Sequence, residues 1–120
     1  MIYTGYFAQV NKYDGILASI AIKTPKGFKG IKLRCFMPKF WLLDKFKKGE
    51  IDSKEYSSLF ELEVLAHLEK QNVKNLLKSL SKNKDLFLLC YEKPENFCHR
   101  HIVANWIRNE LGLDIKEYKV

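Results

Sequence analysis

The chain has 120 residues and a formal net charge of +7, and 47% of the residues are hydrophobic and 13% aromatic. This length fits a single domain, residues 1–120, and disordered chains lack such apolar and aromatic content. Because no apolar run approaches the roughly 18 residues of a membrane span, no secretory signal is visible and the 3 cysteines are an odd number, we expect a reduced, soluble, cytoplasmic protein without a disulfide framework.

The first part of the chain predicts two strands and a short helix. Residues 2–8 are β-branched and aromatic, as in a strand, and Gly5 within them marks a bulge or a close backbone approach. After an Asp-Gly turn, the nearly all-apolar residues 16–22 predict a strand that is covered on both faces. Pro38 and Gly49 enclose apolar residues three apart, which predicts a short helix between them.

The middle of the chain predicts two further helices and a buried strand. Asp52 and Glu55 form a capping-box pattern, which begins a helix that reaches Leu68. We expect a break at residues 71–72 before the next helix, whose apolar residues recur at i, i+3, i+4 and i+7. The apolar run at residues 86–91 then predicts a buried strand.

The end of the chain predicts a helix and a last strand. Asn96 is a credible N-cap for a helix over residues 97–111, Gly112 ends it, and residues 113–118 predict an edge strand. The order β-β-α-α-α-β-α-β predicts the α/β class, in one domain with a mostly parallel sheet flanked by helices in a Rossmann-like three-layer arrangement. The last β-α-β unit has the clearest pattern.

The positive charge is confined to the first part of the chain. Residues 1–50 carry the whole net charge of +7, and the excess lies in the basic segment, residues 23–48. Such a field attracts anions, and aromatic residues among the cations, such as Trp41, can stack bases of single-stranded nucleic acid. The nucleic-acid candidates are Lys23, Lys26, Lys29, Lys32 and Arg34. A solvated loop with its aromatic residues in the core fits the same pattern, because Lys lacks the planar fork of Arg.

The chemically versatile side chains are concentrated in residues 90–100. Cys90 and Glu92 lie at the predicted strand end and face the same way at a period of two. Cys98, His99 and Arg100 follow in the first turn of the last helix, where free N–H groups favour an anion. Arg100 adds a planar donor fork there, and the same field is expected to lower the pKa of Cys98.

Helical phase separates these residues. At about 100° per residue, His99 falls on the apolar stripe of the last helix, Cys98 and Arg100 fall on its flanks, and His101 points to solvent. We predict no metal site and no cofactor, because structural zinc favours paired ligands such as Cys-x2-Cys, whereas seven residues separate Cys90 from Cys98.

These observations define two sets of candidate residues. The catalytic candidates are Cys90, Glu92, Cys98 and His99; the ligand-binding and anion-binding candidates are Arg100, Cys98, Gly5 and Tyr6. A cysteine beside a histidine and an acid favours nucleophilic thiol catalysis. A phosphate-binding turn with no covalent role, or a histidine that simply packs in the core, fits the same residues.

The segment Leu88-Leu-Cys-Tyr-Glu-Lys-Pro-Glu-Asn-Phe-Cys-His-Arg resembles the signature of domain-of-unknown-function family 488, a group of small bacterial and phage α/β proteins. The resemblance implies that five residues of this chain each match a position of the family signature: Cys90, Glu92, Cys98, His99 and Arg100. Weaker matches extend to both ends of the chain, including Glu117. Longer members have Asp-x-Arg at the end of the second strand, where this chain has residues 21–23, Ala-Ile-Lys. The resemblance implies the fold and the site and assigns no reaction.

Three functions remain open. The first is an anion or nucleotide site at a strand end and helix N-terminus, in a thiol-assisted hydrolase or transferase that acts on a phosphorylated substrate; there, Arg100→Ala is expected to abolish ligand binding and spare the fold. The second is non-enzymatic nucleic-acid binding through the basic segment. The third is a phage accessory protein that binds a host factor or sequesters a nucleotide. None of these three functions predicts an oligomeric state.

Overall fold

Five short strands form one sheet in the computed structural model, which describes residues 1–119. They are β1 (Ile2–Tyr6), β2 (Ile16–Ser19), β3 (Ile31–Lys32), β4 (Leu86–Cys90) and β5 (Ile115–Glu117). Their spatial order is β3-β2-β4-β1-β5, and every neighbouring pair is parallel. The predicted α/β class and the parallel sheet flanked by helices are confirmed, in one domain consistent with a three-layer arrangement.

The α-helices are α1 (Phe40–Lys47), α2 (Ser53–Glu63), α3 (Lys70–Leu80) and α4 (His99–Trp106), and a π-helical turn at Ile107–Leu111 extends α4. Shorter 3₁₀ helices lie at Phe7–Lys12, Arg34–Phe36 and Leu65–His67. The predicted cap of α2 is confirmed, since Oδ1 of Asp52 accepts a hydrogen bond from the Glu55 N–H at 2.8 Å. Among residues 1–119, no helix combines the length and the apolar character needed to cross a membrane.

The start of α4 differs from the prediction. Cys98 occupies the N-cap with extended backbone angles (φ −153°, ψ 144°), and the helix begins at His99, so Asn96 is not the cap. The far end of this helical unit is as predicted, because Gly112 has a φ of 66°, a left-handed conformation that suits glycine. The later start matters because it places Cys98 just before the first turn, beside the free N–H groups.

Two further local predictions are wrong. The break expected at residues 71–72 lies earlier, because the Glu69 carboxylate accepts hydrogen bonds from the N–H groups of Gln71 and Asn72 and thereby caps α3. β3 forms where the sequence predicts only a loop. Its two residues are both exposed, so no buried apolar pattern marks them in the sequence.

Both faces of the sheet are covered. Alternation along the strands places Leu88 and Cys90 on the face where α4 packs against β1 and β4, and β4 is buried along its whole length. On the opposite face the rings of Tyr3 and Phe87 stack with centroids 5.4 Å apart. Tyr13, which follows the first 3₁₀ helix, stacks on Phe87 at 4.8 Å. This short helical segment and its aromatic neighbours therefore help to cover this face of the sheet.

Gly5 permits a close approach within β1. A Cβ at this position would lie 2.6 Å from both Cζ and Oη of Tyr13, and that hydroxyl oxygen accepts a hydrogen bond from the Tyr6 N–H at 3.0 Å. The pairing of β1 with β4 is regular through Tyr6. Neither prediction for Gly5 holds as made: the bulge is not formed, and the close approach is by the side chain of Tyr13 rather than by backbone.

The parallel arrangement brings the carboxyl ends of β1, β2 and β4 to one edge of the sheet. Tyr6, Ile20 and Cys90 lie at or directly after these ends, and the N-terminus of α4 reaches the same edge. Ligands of parallel α/β sheets bind at this edge, so the candidate site is built there.

Candidate functional site

A pocket of about 400 Å³ opens beyond the carboxyl ends of β2 and β4. Cys90 and His99 line it from the sheet and from α4, and residues of the basic segment close its other side. Its lining is Ala21, Ile22, Lys23, Pro38, Phe40, Leu43, Asp44, Lys47, Cys90, Tyr91, Glu92 and His99. The pocket therefore brings together the predicted catalytic segment and the predicted anion-attracting segment.

The thiol–imidazole site consists of Cys90, Cys98 and His99, all of them buried. The Sγ atom of Cys90 lies 3.6 Å from Nδ1 of His99, and the Sγ atom of Cys98 lies 4.0 Å from the same nitrogen. β4 positions Cys90, whereas the N-cap and first turn of α4 position the other two. The juxtaposition predicted for these three residues is thus present in the fold.

The orientation of the His99 ring is fixed by a backbone carbonyl. Nε2 of His99 lies 2.7 Å from the carbonyl oxygen of Ile20, just after β2. A carbonyl oxygen only accepts hydrogen bonds, so Nε2 carries the proton. In the neutral ring Nδ1 is then an acceptor, and its lone pair faces the two sulfur atoms. The Phe60 ring packs beside the imidazole with its centroid 5.4 Å away, which holds the ring in a dry environment.

The two thiols have opposite pKa shifts. The pKa of Cys98 is lowered, first by a hydrogen bond from the Cys90 thiol and also by the backbone N–H of Arg100, against the opposing effect of burial. The pKa of Cys90 is raised, because it donates that hydrogen bond and is itself buried. The lowered pKa of Cys98 agrees in direction with the sequence-based prediction.

Arg100 is fully buried and engaged within the protein. Its Nε and Nη2 atoms donate to the two carboxylate oxygens of Glu117, each at 3.1 Å, and Nη1 donates to the Glu92 carbonyl at 2.6 Å. Its guanidinium also lies 5.8 Å from the centroid of the Tyr6 ring. The fork predicted to hold an external anion is therefore directed at Glu117, and we assign Arg100 a positioning role. Because these contacts hold α4 to the rest of the fold, we expect Arg100→Ala to destabilise the protein as well.

The remaining candidates divide between the pocket and the scaffold. Glu92 is exposed and lines the pocket, so its carboxylate is accessible to a ligand. Gly5 and Tyr6, predicted to bind a ligand, are instead engaged by Tyr13, and the Tyr6 ring faces Arg100. These contacts give both residues a structural role.

The basic segment contributes only part of its charge to the pocket. Lys23 and Lys47 are among the lining residues. The other nucleic-acid candidates lie outside that lining and are exposed; they are Lys26, Lys29, Lys32 and Arg34. Two side chains of the segment are also exposed although aromatic, with Phe40 at 68% and Trp41 at 44%.

His101 does not point to solvent as its helical phase predicts. It is half-buried, and its Nε2 atom is buried without a hydrogen-bond partner among the described residues. Burial lowers the pKa of His101, and the neighbouring Arg100 cation adds to this effect. The helical-phase argument fails here because the loop that precedes α4 lies close to this first turn. A hydrogen bond between the Asn96 backbone and the imidazole acts to raise its pKa, against the larger effect of burial.

The spacing argument against a metal site does not hold in three dimensions. The sulfur atoms of Cys90 and Cys98 and a ring nitrogen of His99 all lie within 4.8 Å of one another. Seven residues separate the two cysteines in sequence, but this loop returns from β4 to α4 at the same edge of the sheet. The fold therefore assembles a possible ligand set that linear spacing does not reveal.

Two contributors to the site are missed by sequence reasoning. The Ile20 carbonyl is a backbone group, so no residue type signals it. Glu117, whose carboxylate pairs with Arg100, lies on the edge strand β5, outside the segment of the sequence that contains the other site residues. Only its place among the weaker matches of the family resemblance could have indicated it.

The chain matches one protein-family model. This model is DUF488-N3a, described as the active DUF488-N3 subclade, and it matches residues 9–111. No curated protein and no solved structure matches the chain. The matched range contains the thiol–imidazole site and the residues that line the pocket.

Proposed function

Because the chain belongs to the DUF488-N3a subclade of the DUF488 family, we propose that it is a thiol-assisted hydrolase or transferase that acts on a phosphorylated small molecule or nucleotide. The observation that carries the proposal is the position of His99 Nδ1, 3.6 Å from the Cys90 sulfur at the base of a pocket. The description of the subclade as active supports an enzyme over a binding protein.

Cys90 is the nucleophile in this proposal, because it lines the pocket whereas Cys98 lies outside the lining. Its sulfur forms a bond to an electrophilic carbon of the substrate while its proton passes to His99 Nδ1. The bond from that carbon to the leaving group breaks, and the leaving group takes the electron pair together with the proton held on His99 Nδ1. Water or an acceptor hydroxyl then gives its proton to Nδ1 while its oxygen bonds to the carbon. The sulfur–carbon bond breaks, and the sulfur takes that proton from His99, which regenerates the thiol.

The other members of the site have supporting roles. Cys98 lies 4.0 Å from His99 Nδ1, so its sulfur stabilises the imidazolium that forms when the proton arrives. Glu92, exposed at the pocket, is placed to orient the attacking water or acceptor hydroxyl by accepting a hydrogen bond from it. Lys23 and Lys47 bring positive charge to the same pocket, which favours a phosphorylated substrate.

The experiment compares Cys90→Ser with Cys35→Ser, a matched exchange of the partly buried cysteine outside the site. Wild-type protein, kept in a chelator and a phosphine reductant, is screened for thermal stabilisation and turnover with nucleotides and sugar phosphates. We expect turnover of at least one substrate, lost on Cys90→Ser and kept on Cys35→Ser. We also expect weaker stabilisation by that substrate on Lys23→Ala and Lys47→Ala. Turnover that survives Cys90→Ser, or no response to the whole panel, contradicts the proposal.

A second candidate function is the binding of single-stranded nucleic acid by α1. The observation that favours it is the exposure of Phe40 and Trp41, since exposed rings among cations are the stacking platforms of such proteins. The neighbouring cations on and beside this helix are Lys39, Lys45, Lys47 and Lys48. This function needs neither sulfur atom of the thiol–imidazole site, which separates it from the first proposal.

A further inference from the structure

The thiol–imidazole site has the dimensions of a metal site. In tetrahedral zinc sites the metal lies about 2.3 Å from sulfur and about 2.0–2.1 Å from nitrogen, which places sulfur and nitrogen about 3.5 Å apart. The measured distances from His99 Nδ1 are 3.6 Å to Cys90 Sγ and 4.0 Å to Cys98 Sγ. Both sulfur-to-nitrogen distances therefore lie within a few tenths of an ångström of this value, and the two sulfur atoms lie within 4.8 Å of each other.

The histidine is already oriented as a metal ligand. A histidine that binds a metal almost always donates its other ring N–H to a carboxylate, a backbone carbonyl or water, and this contact fixes the tautomer. His99 meets this requirement, because Nε2 donates to the Ile20 carbonyl at 2.7 Å and leaves Nδ1 free towards the sulfur atoms. The ring would need no reorientation to bind an ion.

The chemistry of the donors selects the ion. Two thiolates and an imidazole favour zinc and similarly thiophilic ions, whereas magnesium and calcium need oxygen ligands. With three protein ligands the fourth position of a tetrahedral ion is open, as in catalytic rather than structural zinc sites. Cys90 and His99 both line the pocket, so water or a small ligand can reach that position.

We propose that Cys90, Cys98 and His99 bind one Zn²⁺ ion. Coordination of this ion by the Cys90 sulfur blocks the action of that sulfur as a nucleophile. Binding needs no oxidant or reductant: the ion displaces the protons of the thiol groups that it binds and forms bonds to both sulfurs and to Nδ1. The binding of zinc is independent of the proposed function. Only the inhibition rests on that function.

Cobalt is a suitable probe, because Co²⁺ enters such sites and its absorption reports thiolate ligands. The full-length protein is reduced with a phosphine, freed of metal with a chelator and titrated with Co²⁺. We expect one Co²⁺ per chain, a thiolate-to-cobalt charge-transfer band, strong visible absorption of a tetrahedral ion, and displacement by an equimolar amount of Zn²⁺. An octahedral spectrum without the charge-transfer band overturns the proposal.

Matched variants assign the ligands. Cys90→Ser and Cys98→Ser are each expected to weaken Zn²⁺ binding at least 100-fold, whereas Cys35→Ser is expected to bind as tightly as wild type. Wild-type affinity in either site variant, or loss of binding in Cys35→Ser, overturns the assignment. If a site variant fails to fold without metal, the thermal stability of the wild type decides, since a specific site predicts a rise in Tm with Zn²⁺ concentration and its absence contradicts the site.

The inhibition is tested separately, with the chelated protein and the substrate found in the turnover screen. We expect full turnover without metal and a loss of more than 90% when one equivalent of Zn²⁺ is added. Unchanged turnover in the zinc-bound protein refutes the inhibition and leaves the metal site in place. Turnover that requires Zn²⁺ refutes the inhibition and the thiol nucleophile together, and again leaves the site.

Discussion

Arg100 and Glu117 form a bidentate ion pair in which Nε and Nη2 of the arginine each lie 3.1 Å from a carboxylate oxygen. The arginine belongs to the first turn of α4 and is fully buried, and the glutamate belongs to the edge strand β5. Thr4 on β1 donates a further hydrogen bond to Oε1 of Glu117 at 2.6 Å. The pair therefore ties the helix that carries His99 to the sheet that carries Cys90.

Glu117→Gln is expected to destabilise the protein by about 3 kcal/mol. The change leaves the Arg100 charge buried without its counter-ion, and breaking a buried pair costs roughly 3–5 kcal/mol; the low end applies because the Glu117 side chain is 18% exposed. Urea denaturation measures the free energy of unfolding. Glu95→Gln, at an exposed position, is the control and is expected to stay within about 0.5 kcal/mol of wild type. Equal values for both variants would refute the role of the pair.

In metal-free protein, His99 is expected to carry its proton on Nε2. The reason is the 2.7 Å contact with the Ile20 carbonyl, which can only accept. Proton–nitrogen correlation NMR of protein labelled at histidine distinguishes the two ring nitrogens, and His67, on a different element, serves as the internal reference. A spectrum that shows His99 protonated on Nδ1 alone would contradict the proposed proton acceptor.

Gly5→Ala is expected to destabilise the protein by about 1–3 kcal/mol, the usual cost of overpacking. The new Cβ would lie 2.6 Å from the Tyr13 ring, which is held by its hydrogen bond to the Tyr6 N–H. Thermal denaturation of Gly5→Ala, Tyr13→Leu and the double variant measures the coupling. If the contact with Tyr13 is the cause, the double variant loses at least about 0.5 kcal/mol less than the sum of the single variants; strict additivity would show that it is not.

Nucleic-acid binding by the second candidate function is expected to depend steeply on salt. Counterions released from the phosphates drive such binding, so charge reversal at Lys39, Lys45 and Lys48, on and beside α1, should weaken it, whereas Cys98→Ser should not. Removal of a stacking ring by Trp41→Ala is expected to cost about 1–3 kcal/mol. Fluorescence anisotropy with single-stranded DNA and RNA measures both effects, and the control Leu62→Ala removes an even more exposed apolar side chain from another helix. Salt-independent binding, or equal losses for Trp41→Ala and Leu62→Ala, would count against this function.

The sequence predicts the fold well where local chemistry is explicit. The capping pair Asp52 and Glu55, the left-handed Gly112 and the wholly apolar β4 each have a physical signature that a short window of residues contains. β3 has none, because its two residues are exposed and pair only with a strand that lies elsewhere in the sequence. The start of α4 is missed because Asn96 is the better cap by residue type, whereas the fold places Cys98 there.

The sequence predicts the residue types of the candidate site but not the hydrogen bonds and ion pairs that position them. The segment from Cys90 to Arg100 identifies the sulfur atoms and the imidazole, because these side chains are rare and close in sequence. Helical phase also predicts that His99 faces the core, and it is buried. The partner of Arg100 could not be predicted, because a buried cation needs an anion and any of several distant acids would satisfy this need. The sequence alone therefore favours an external anion over Glu117 as the partner of the guanidinium.

The hydrogen bond from His99 to the Ile20 carbonyl has a consequence for how this chemistry can change during evolution. In many hydrolases an acidic side chain orients the histidine, and a single substitution removes it. Here the acceptor is a peptide group, so any residue that preserves the backbone path after β2 supplies it equally well. Position 20 can change among apolar residues without loss of the tautomer. Because the orienting group is a backbone carbonyl, a comparison of amino-acid sequences within the family would not reveal it.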